Sequence, residues 1–426
     1  MRGLSIPGRG WSAAVGSGVL AAVLAGCGPA PRWYKGNLHT HSYWSDGDQF
    51  PEVILQGYRE RGYDFVAISD HNELADTERW VTVSAIPNGE RSLAEYLRAF
   101  GEPWVEQRDS SGQLQVRLKR FAEYAARLGE PGRFLVVRAE EITDRFDSRP
   151  LHVNATNVRD FIPPQGGVSV ADVLQRNIAA VLAQRQATGQ PMFPHVNHPN
   201  FGWAVTAEDL MGLEGERFFE VYNGHPLVHN DGDSLHPSTD RLWDIVLAHR
   251  LTRGLGVVYG LAVDDAHNYE RMDSTEANPA RGWVMVRARE LSADAVIAAL
   301  EAGAFYASTG VVLEDIRVSS ERLRLVIAGD SGVDYVTEFV GTRAGFDARA
   351  EDVAEVEGLP VTRRYKLDIG AVLSTVEGLE PAYQFRGDEL YVRARIRSTR
   401  PVAHPVRAGE VERAWVQPVV VRQGGG

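Results

Sequence analysis

From Asn37 onward, short apolar runs alternate with stretches of helical periodicity. The run "FVAIS" (65–69) is continuous and apolar, as expected of a strand covered on both faces. In "QLQVRLKRFAEYAARLG" (113–129) the residues Leu118, Phe121, Ala122, Ala125 and Leu128 fall on one face of a helix. The alternation continues through "RFLVVRAEEIT" (133–143), "PLHVNATNV" (150–158), "VADVLQRNIAAVLAQRQATG" (170–189), "PMFPHVNHP" (191–199), "RFFEVYNG" (217–224), "DRLWDIVLAHRLTRG" (240–254) and "VVYGLAVDDAH" (257–267). Strands interleaved with helices of this length predict an α/β domain with a mostly parallel sheet or barrel. After "ADAVIAALEAGAFYASTG" the helical period is lost. Residues 311–426 alternate in short runs such as "LRLVIAG", "YVTEFVGT" and "LYVRARIRS", broken by Gly, Asp and Pro. This predicts a small all-β domain, a sandwich, with the boundary near Gly310.

Composition narrows the partners. The 426 residues carry 57 acidic against 45 basic side chains, a formal net charge of −12, whereas nucleic-acid binders cluster Lys and Arg and have a high pI. No nucleic-acid partner is expected. At the N-terminus, Arg2 and Arg9 precede an apolar run from Trp11 to Ala25, too short to span a bilayer comfortably and shaped like a secretory signal. The run ends in Leu24-Ala25-Gly26-Cys27, which resembles the lipobox of bacterial lipoproteins. Cys27 is the single cysteine of the chain, so it cannot close an internal disulfide, and lipid attachment accounts for its position. The expected organisation is a signal peptide over 1–26, a tether over 27–34, a metal-binding domain over 35–310 and the β domain over 311–426. Localisation follows as lipid-anchored in the bacterial cell envelope, with the membrane surface as one partner.

Candidate chemistry gathers where the predicted strands end. His39 and His41 are two apart, so on a strand both side chains leave one face and can grip one ion. Asp46 lies in a Ser45-Asp46-Gly47 turn, and Asp70-His71 directly follows "FVAIS". Glu140-Glu141 follow "FLVVRA", His152 opens "HVNATNV", His195 and His198 flank Val196-Asn197, and Asp264, Asp265 and His267 end the run "GLAVDDAH". In α/β sheets and barrels the C-terminal strand edge is where active sites collect. Carboxylates and imidazoles crowded there repel or stay unsatisfied unless cations pair them. Metal binding is therefore expected.

The elements "HTHSYWSDG", "AISDHN", "EEIT", "HVNATN", "NHPNFGW", "EVYNG" and "DDAH", in this order, resemble those of the polymerase-and-histidinol-phosphatase (PHP) superfamily over roughly residues 35–310. The resemblance implies a distorted (β/α)7 barrel, two to three divalent metal ions and phosphoesterase activity on a small phosphorylated substrate. It also implies three ligand groups: His39, His41, Glu141 and Asp265; Glu141, His152 and His198, with Glu141 bridging; and Asp46, His71 and His267. Glu141 is preferred to Glu140 because it precedes Ile-Thr, His198 to His195 because a proline follows it, and Asp265 to Asp264 because it stands two before His267. Glu220 in "FFEVYNG" is expected to support the site and not to ligate.

Such a centre would activate a bridging water for in-line attack on phosphorus, with Asp46 or His267 influencing protonation of the leaving group. The mixed His and carboxylate set suits Zn, Mn or Fe. Arg145, Arg149 or Arg281 could clamp the phosphate, since guanidinium matches it bidentately. The insert between Glu73 and Leu135 is expected to shape the pocket. Two rivals stand beside this reading. An amidohydrolase-type barrel also opens with HxH, but usually bridges its metals with a modified lysine, and no lysine occurs near the strand-four candidates. A tethered binding protein would keep metals without catalysis, yet would have little need of a complete ligand set.

Overall fold

A computed structural model describes residues 29–421; Cys27 and the expected signal segment lie outside them. Seven strands position the site: β1 (Arg32–Asn37), β2 (Phe65–Ile68), β3 (Leu135–Phe146), β4 (Arg149–Thr156), β5 (Phe193–Val196), β6 (Phe218–Asn223) and β7 (Tyr259–Val263). They are hydrogen-bonded in that spatial order within one thirteen-stranded sheet. Past the strand ends the backbone continues the ladder. Thr40 bridges Ala266 and His71 bridges Glu141, both in parallel sense, and the N–H of His41 donates to the Ala266 carbonyl over 2.9 Å while that of Asp265 donates to His39 over 3.1 Å. The first and last of the seven strands thus meet at the end that carries the histidines.

The arrangement is mixed α/β and departs from a strict repeat of parallel strands and crossover helices. β1, β2 and β3 are parallel to one another, and so are β5, β6 and β7, but β4 is antiparallel to both neighbours. The reason is local. Phe146 pairs with Arg149 across Asp147-Ser148, and a two-residue link can close a hairpin but leaves no room for a crossover helix. Asp147 takes φ of 53° there, which Asp tolerates better than most residues. The helix Pro51–Glu60 links β1 to β2, with proline at its first turn, where the missing N–H costs nothing. The helix Val170–Thr188 links β4 to β5, capped by Ser169 and stopped by Gly189 at φ 69°.

The insert between Glu73 and Leu135 folds as a three-stranded sheet (Arg79–Thr82, Gln113–Leu118 and Gln107–Ser110) with helices Gly89–Phe100 and Phe121–Leu128. The helix expected over 113–129 is therefore shorter. Residues 113–118 are a strand, paired on both sides with 79–82 and 107–110, and bury Val116 and Leu118 on one face.

On the other side of β1 the sheet continues through strands Trp283–Ala288, Phe305–Ser308, Val411–Val420, Glu389–Pro401, Tyr335–Arg343 and Ala371–Glu377. The β-rich C-terminal part is thus joined to the seven strands by an unbroken ladder that crosses Gly310. Its second sheet, Leu313–Val318 with Arg322–Ile327 and Ala382–Gln384, shares an apolar cluster with the large one through Leu323, Leu325, Phe339, Ile396 and Val416. Arg393, fully buried, bonds to Asp244 on the helix Thr239–Thr252 through Nε at 2.8 Å and Nη2 at 2.7 Å. Among the described residues no helix is long and apolar enough to cross a membrane.

Candidate metal centre

At the end of β1, His39 and His41 are fully buried and their Nε2 atoms stand 3.1 Å apart. Glu220 on β6 accepts from Nδ1 of His39 at 2.7 Å, which leaves the Nε2 lone pair facing inward. Glu141 Oε2 lies 3.3 Å from His39 Nε2 and 3.2 Å from His41 Nε2; Asp265 Oδ1 lies 3.1 and 3.2 Å from the same two atoms. Ligand atoms that share an ion at about 2.0–2.2 Å, at angles of about 90–110°, are about 2.8–3.6 Å apart. All five of these separations fall in that range.

Glu141 is the hub. Its Oε1 is 2.8 Å from His152 Nδ1 and 3.4 Å from His198 Nε2, while Oε2 is also 2.9 Å from His71 Nδ1. Asn197 donates to Oε1 at 2.6 Å. Despite these approaches, Oε2 of Glu141 and Nδ1 of His152 have no hydrogen-bond partner of acceptable geometry and are shielded from solvent. Buried polar atoms are rarely left so. Atoms that converge without aligning as donor and acceptor suit a shared cation, so the residues fit one.

A third group opens to solvent. Asp46, with its side chain 57% exposed, lies 3.4 Å from His267 Nε2 and 3.5 Å from His71 Nε2. His267 Nδ1 donates to the Asp265 carbonyl at 2.9 Å, so its Nε2 lone pair faces Asp46. The loop that carries Asp46 is set by Asp70, whose carboxylate accepts from Ser42 N and Oγ, both at 2.7 Å, and from Ser45 Oγ at 2.6 Å. Gly47 is required in this loop, because a Cβ there would meet the His41 backbone at 2.6 Å.

The electrostatics follow from crowding. Burial opposes charge on His39, but Asp265, Glu141 and Glu220 overcome it and hold the imidazole well above its ordinary value. Burial likewise opposes His71, which Glu141 and Asp46 push up to about 11. Burial works against ionisation of Glu141 too, yet His71, His39 and His152 hold it well below the carboxylate range. Asp265 and Asp46 are depressed for the same kind of reason, facing His39 and His267 respectively. Without a cation, protons shared among the imidazoles balance these carboxylates; a divalent ion could replace them.

All nine expected ligands are thus brought together: His39, His41, Asp46, His71, Glu141, His152, His198, Asp265 and His267 recur in the potential ligand groups of the structure. The rejected neighbours have other partners. Glu140 faces away and accepts from Ile162 N at 2.8 Å, and Asp264 accepts from the backbone of Ala280, Arg281 and Gly282. His195 lies against Glu220 at 3.2 Å, and these two form a further potential ligand group with His39.

Arg281 is not available as a phosphate clamp. It is fully buried, and its guanidinium donates to the carbonyls of His404, Gly224, Glu276 and Asp273. Arg149 lies over the ring of Phe146. Arg145 shares a strand face with Glu141 and Thr143, two residues further out than Thr143, and is exposed. Sequence reasoning missed Asn197, although it sits between His195 and His198, and His225, which has no strand-end carboxylate beside it to draw notice.

No protein-family model matches the chain, and no curated protein matches it in sequence. Among solved structures, the chain is similar to a two-domain protein of Bacteroides vulgatus ATCC 8482 described as containing a predicted PHP-like metal-dependent phosphoesterase, with 14% identity, 92% of this chain and 95% of that one covered, and a TM-score of 0.38. A Bifidobacterium adolescentis protein, also provisionally described as a metal-dependent phosphoesterase, matches at 14% identity over 56% of this chain and 89% of its own, with a TM-score of 0.29.

Proposed function

We propose that this chain is a metal-dependent phosphoesterase of the PHP kind that hydrolyses a small phosphomonoester or phosphodiester. The seven strands are read as a distorted barrel, its open end built around two or three divalent ions. The observation that carries the reading is Glu141: one fully buried carboxylate whose two oxygens face different sets of imidazoles and whose Oε2 lacks an aligned hydrogen-bond partner. His39, His41, Glu141 and Asp265 would hold one ion, Glu141, His152 and His198 a second, and Asp46, His71 and His267 a third.

Divalent ions bound there would neutralise phosphoryl oxygens and lower the pKa of a coordinated water. The chain's own groups prepare that chemistry. Glu220 and the Asp265 carbonyl fix the tautomers of His39 and His267, so that both present a lone pair inward. Thr143 Oγ1 holds His71 Nδ1 at 2.6 Å, turning Nε2 towards Asp46. The deep groups exclude water, whereas Asp46, His71 and His267 stay partly exposed, which sets the side from which substrate arrives. Arg145 is the guanidinium best placed to meet an anion on that rim.

The reading extends to the cell. Export through residues 1–26 and lipid attachment at Cys27 would hold the enzyme at the envelope, where phosphosugars, nucleotides and phosphodiesters are available. A screen of phosphomonoesters, phosphodiesters and amides with Zn, Mn or Fe tests it: hydrolysis of phosphoesters that His39→Ala abolishes is expected. Amide hydrolysis alone, or no turnover by a metal-loaded chain, contradicts it.

A further inference from the structure

After β6 the chain makes a turn, Asn223-Gly224-His225, that is pinned from several sides. Asn223 Nδ2 donates to Asp265 at 3.1 Å and to Glu220 at 2.8 Å, and its Oδ1 accepts from His225 N at 2.8 Å. Gly224 N donates to the Val263 carbonyl, and Arg281 grips the Gly224 carbonyl at 2.9 Å. A Cβ on Gly224 would meet the Asp264 carbonyl at 2.8 Å and Arg281 Cβ at 2.9 Å, so this close packing requires glycine. The buried arginine therefore serves the site indirectly, by holding the turn.

The turn presents one side chain to the mouth of the centre. The half-buried His225 ring stands edge-on to His267 at 5.5 Å and to Phe201 at 6.1 Å between centroids. Its Nδ1 accepts from Leu227 N at 3.2 Å, and its carbonyl accepts from Val228 N at 3.0 Å. A neutral imidazole whose Nδ1 accepts must carry its proton on Nε2. That Nε2 makes no hydrogen bond to any of the described residues. The structure thus holds a fixed N–H donor beside the exposed group of Asp46, His71 and His267, with no acceptor for it among the described residues.

We infer that His225 contacts substrate, its Nε2–H donating to a phosphoryl oxygen at the open edge of the centre. This role rests on the phosphoesterase reading above and adds a recognition residue to it. Hydrogen bonds to charged acceptors are among the strong ones, and losing one corresponds to about 10- to 100-fold in affinity. The test is a calorimetric titration of inorganic phosphate into the metal-loaded full-length chain, compared with His225→Ala and His225→Gln, with bound metal measured in each. Phosphate binding weakened at least tenfold in His225→Ala, partly restored by the amide N–H of His225→Gln, with metal content unchanged in both, is the expected result. Unchanged phosphate affinity in His225→Ala overturns the role, and so does loss of metal, which would make His225 part of the metal scaffold. A metal-loaded parent chain that fails to bind phosphate overturns the phosphoesterase reading and this role with it.

Discussion

Asp70 ligates nothing in this account, yet replacing it should empty one metal group selectively. Its carboxylate, 2% exposed, accepts three hydrogen bonds from Ser42 and Ser45. Those two residues frame the loop that places Asp46. Asp70→Asn keeps the volume and removes the charge; its single amide oxygen can still accept from Ser42 N and Ser45 Oγ, but its NH2 can only donate to Ser42 Oγ, so the third bond must reverse. A hydrogen bond to a charged group contributes about 1.5–3 kcal/mol and a neutral one about 0.5–1.5 kcal/mol, so exchanging three charged bonds for two accepted and one reversed neutral bond costs about 3 kcal/mol. At about 1.4 kcal/mol per decade, that loss, if it falls on the docking of the loop, lowers affinity for an ion at Asp46, His71 and His267 by about a hundredfold. The ions around Glu141 keep their ligands. Titration with a graded series of chelators, followed by elemental analysis of the washed protein, should find Asp70→Asn short of one ion per chain at chelator strengths the parent withstands. Equal loss of every ion, or retention of all of them, would mean that Asp70 does not set the Asp46 loop.

Further outcomes follow from the same geometry. Glu220→Gln, which removes the anionic partner of His39 and His195, should weaken metal binding about 10- to 100-fold without removing a ligand, and competition against a fluorescent chelator measures it. His71 is raised to about 11 in the metal-free chain, so its contribution to stability is complete below about 6.5 and is lost as pH rises through about 11. The thermal stability of the metal-free chain should therefore fall across that window while that of the loaded chain does not follow, and metal affinity should increase from pH 6 to pH 8 as competition from protons for the ligands eases. Arg393→Met removes the guanidinium that pairs with the buried Asp244; it should destabilise by about 3–5 kcal/mol, seen as a lowered Tm, with recovery when Asp244 is also made apolar.

The parts of this molecule that were legible in the sequence are those governed by local period and local chemistry. The two-residue spacing of His39 and His41 placed both rings on one side, and the Ser-Asp-Gly turn marked Asp46 as a loop residue near them. Glu141 and Asp265 were separable from Glu140 and Asp264 only by their neighbours in the motifs. The structure supplies the physical difference, because Glu140 turns away to accept from Ile162 N and Asp264 spends its oxygens on the N–H groups of Ala280, Arg281 and Gly282. What was not legible depended on partners distant in the chain or on strand direction. Arg281 stood as a candidate phosphate clamp until His404, far away in sequence, proved to be among its acceptors. The antiparallel course of β4 hung on a two-residue link that an apolar pattern does not register. Residues 113–118 carry apolar positions compatible with either period, and only the pairing with 79–82 and 107–110 selects the strand. His225 lay in a turn whose tautomer is set by the N–H of Leu227, a detail that exists only once the chain is folded.

Whether the nine side chains hold metal is decided by the ratio of metal to protein in the full-length chain, purified without chelators and measured by elemental mass spectrometry. Two or three transition-metal ions per chain are expected, falling when His39 or Glu141 is replaced. A ratio near zero that stays there after incubation with Zn, Mn or Fe would contradict that expectation.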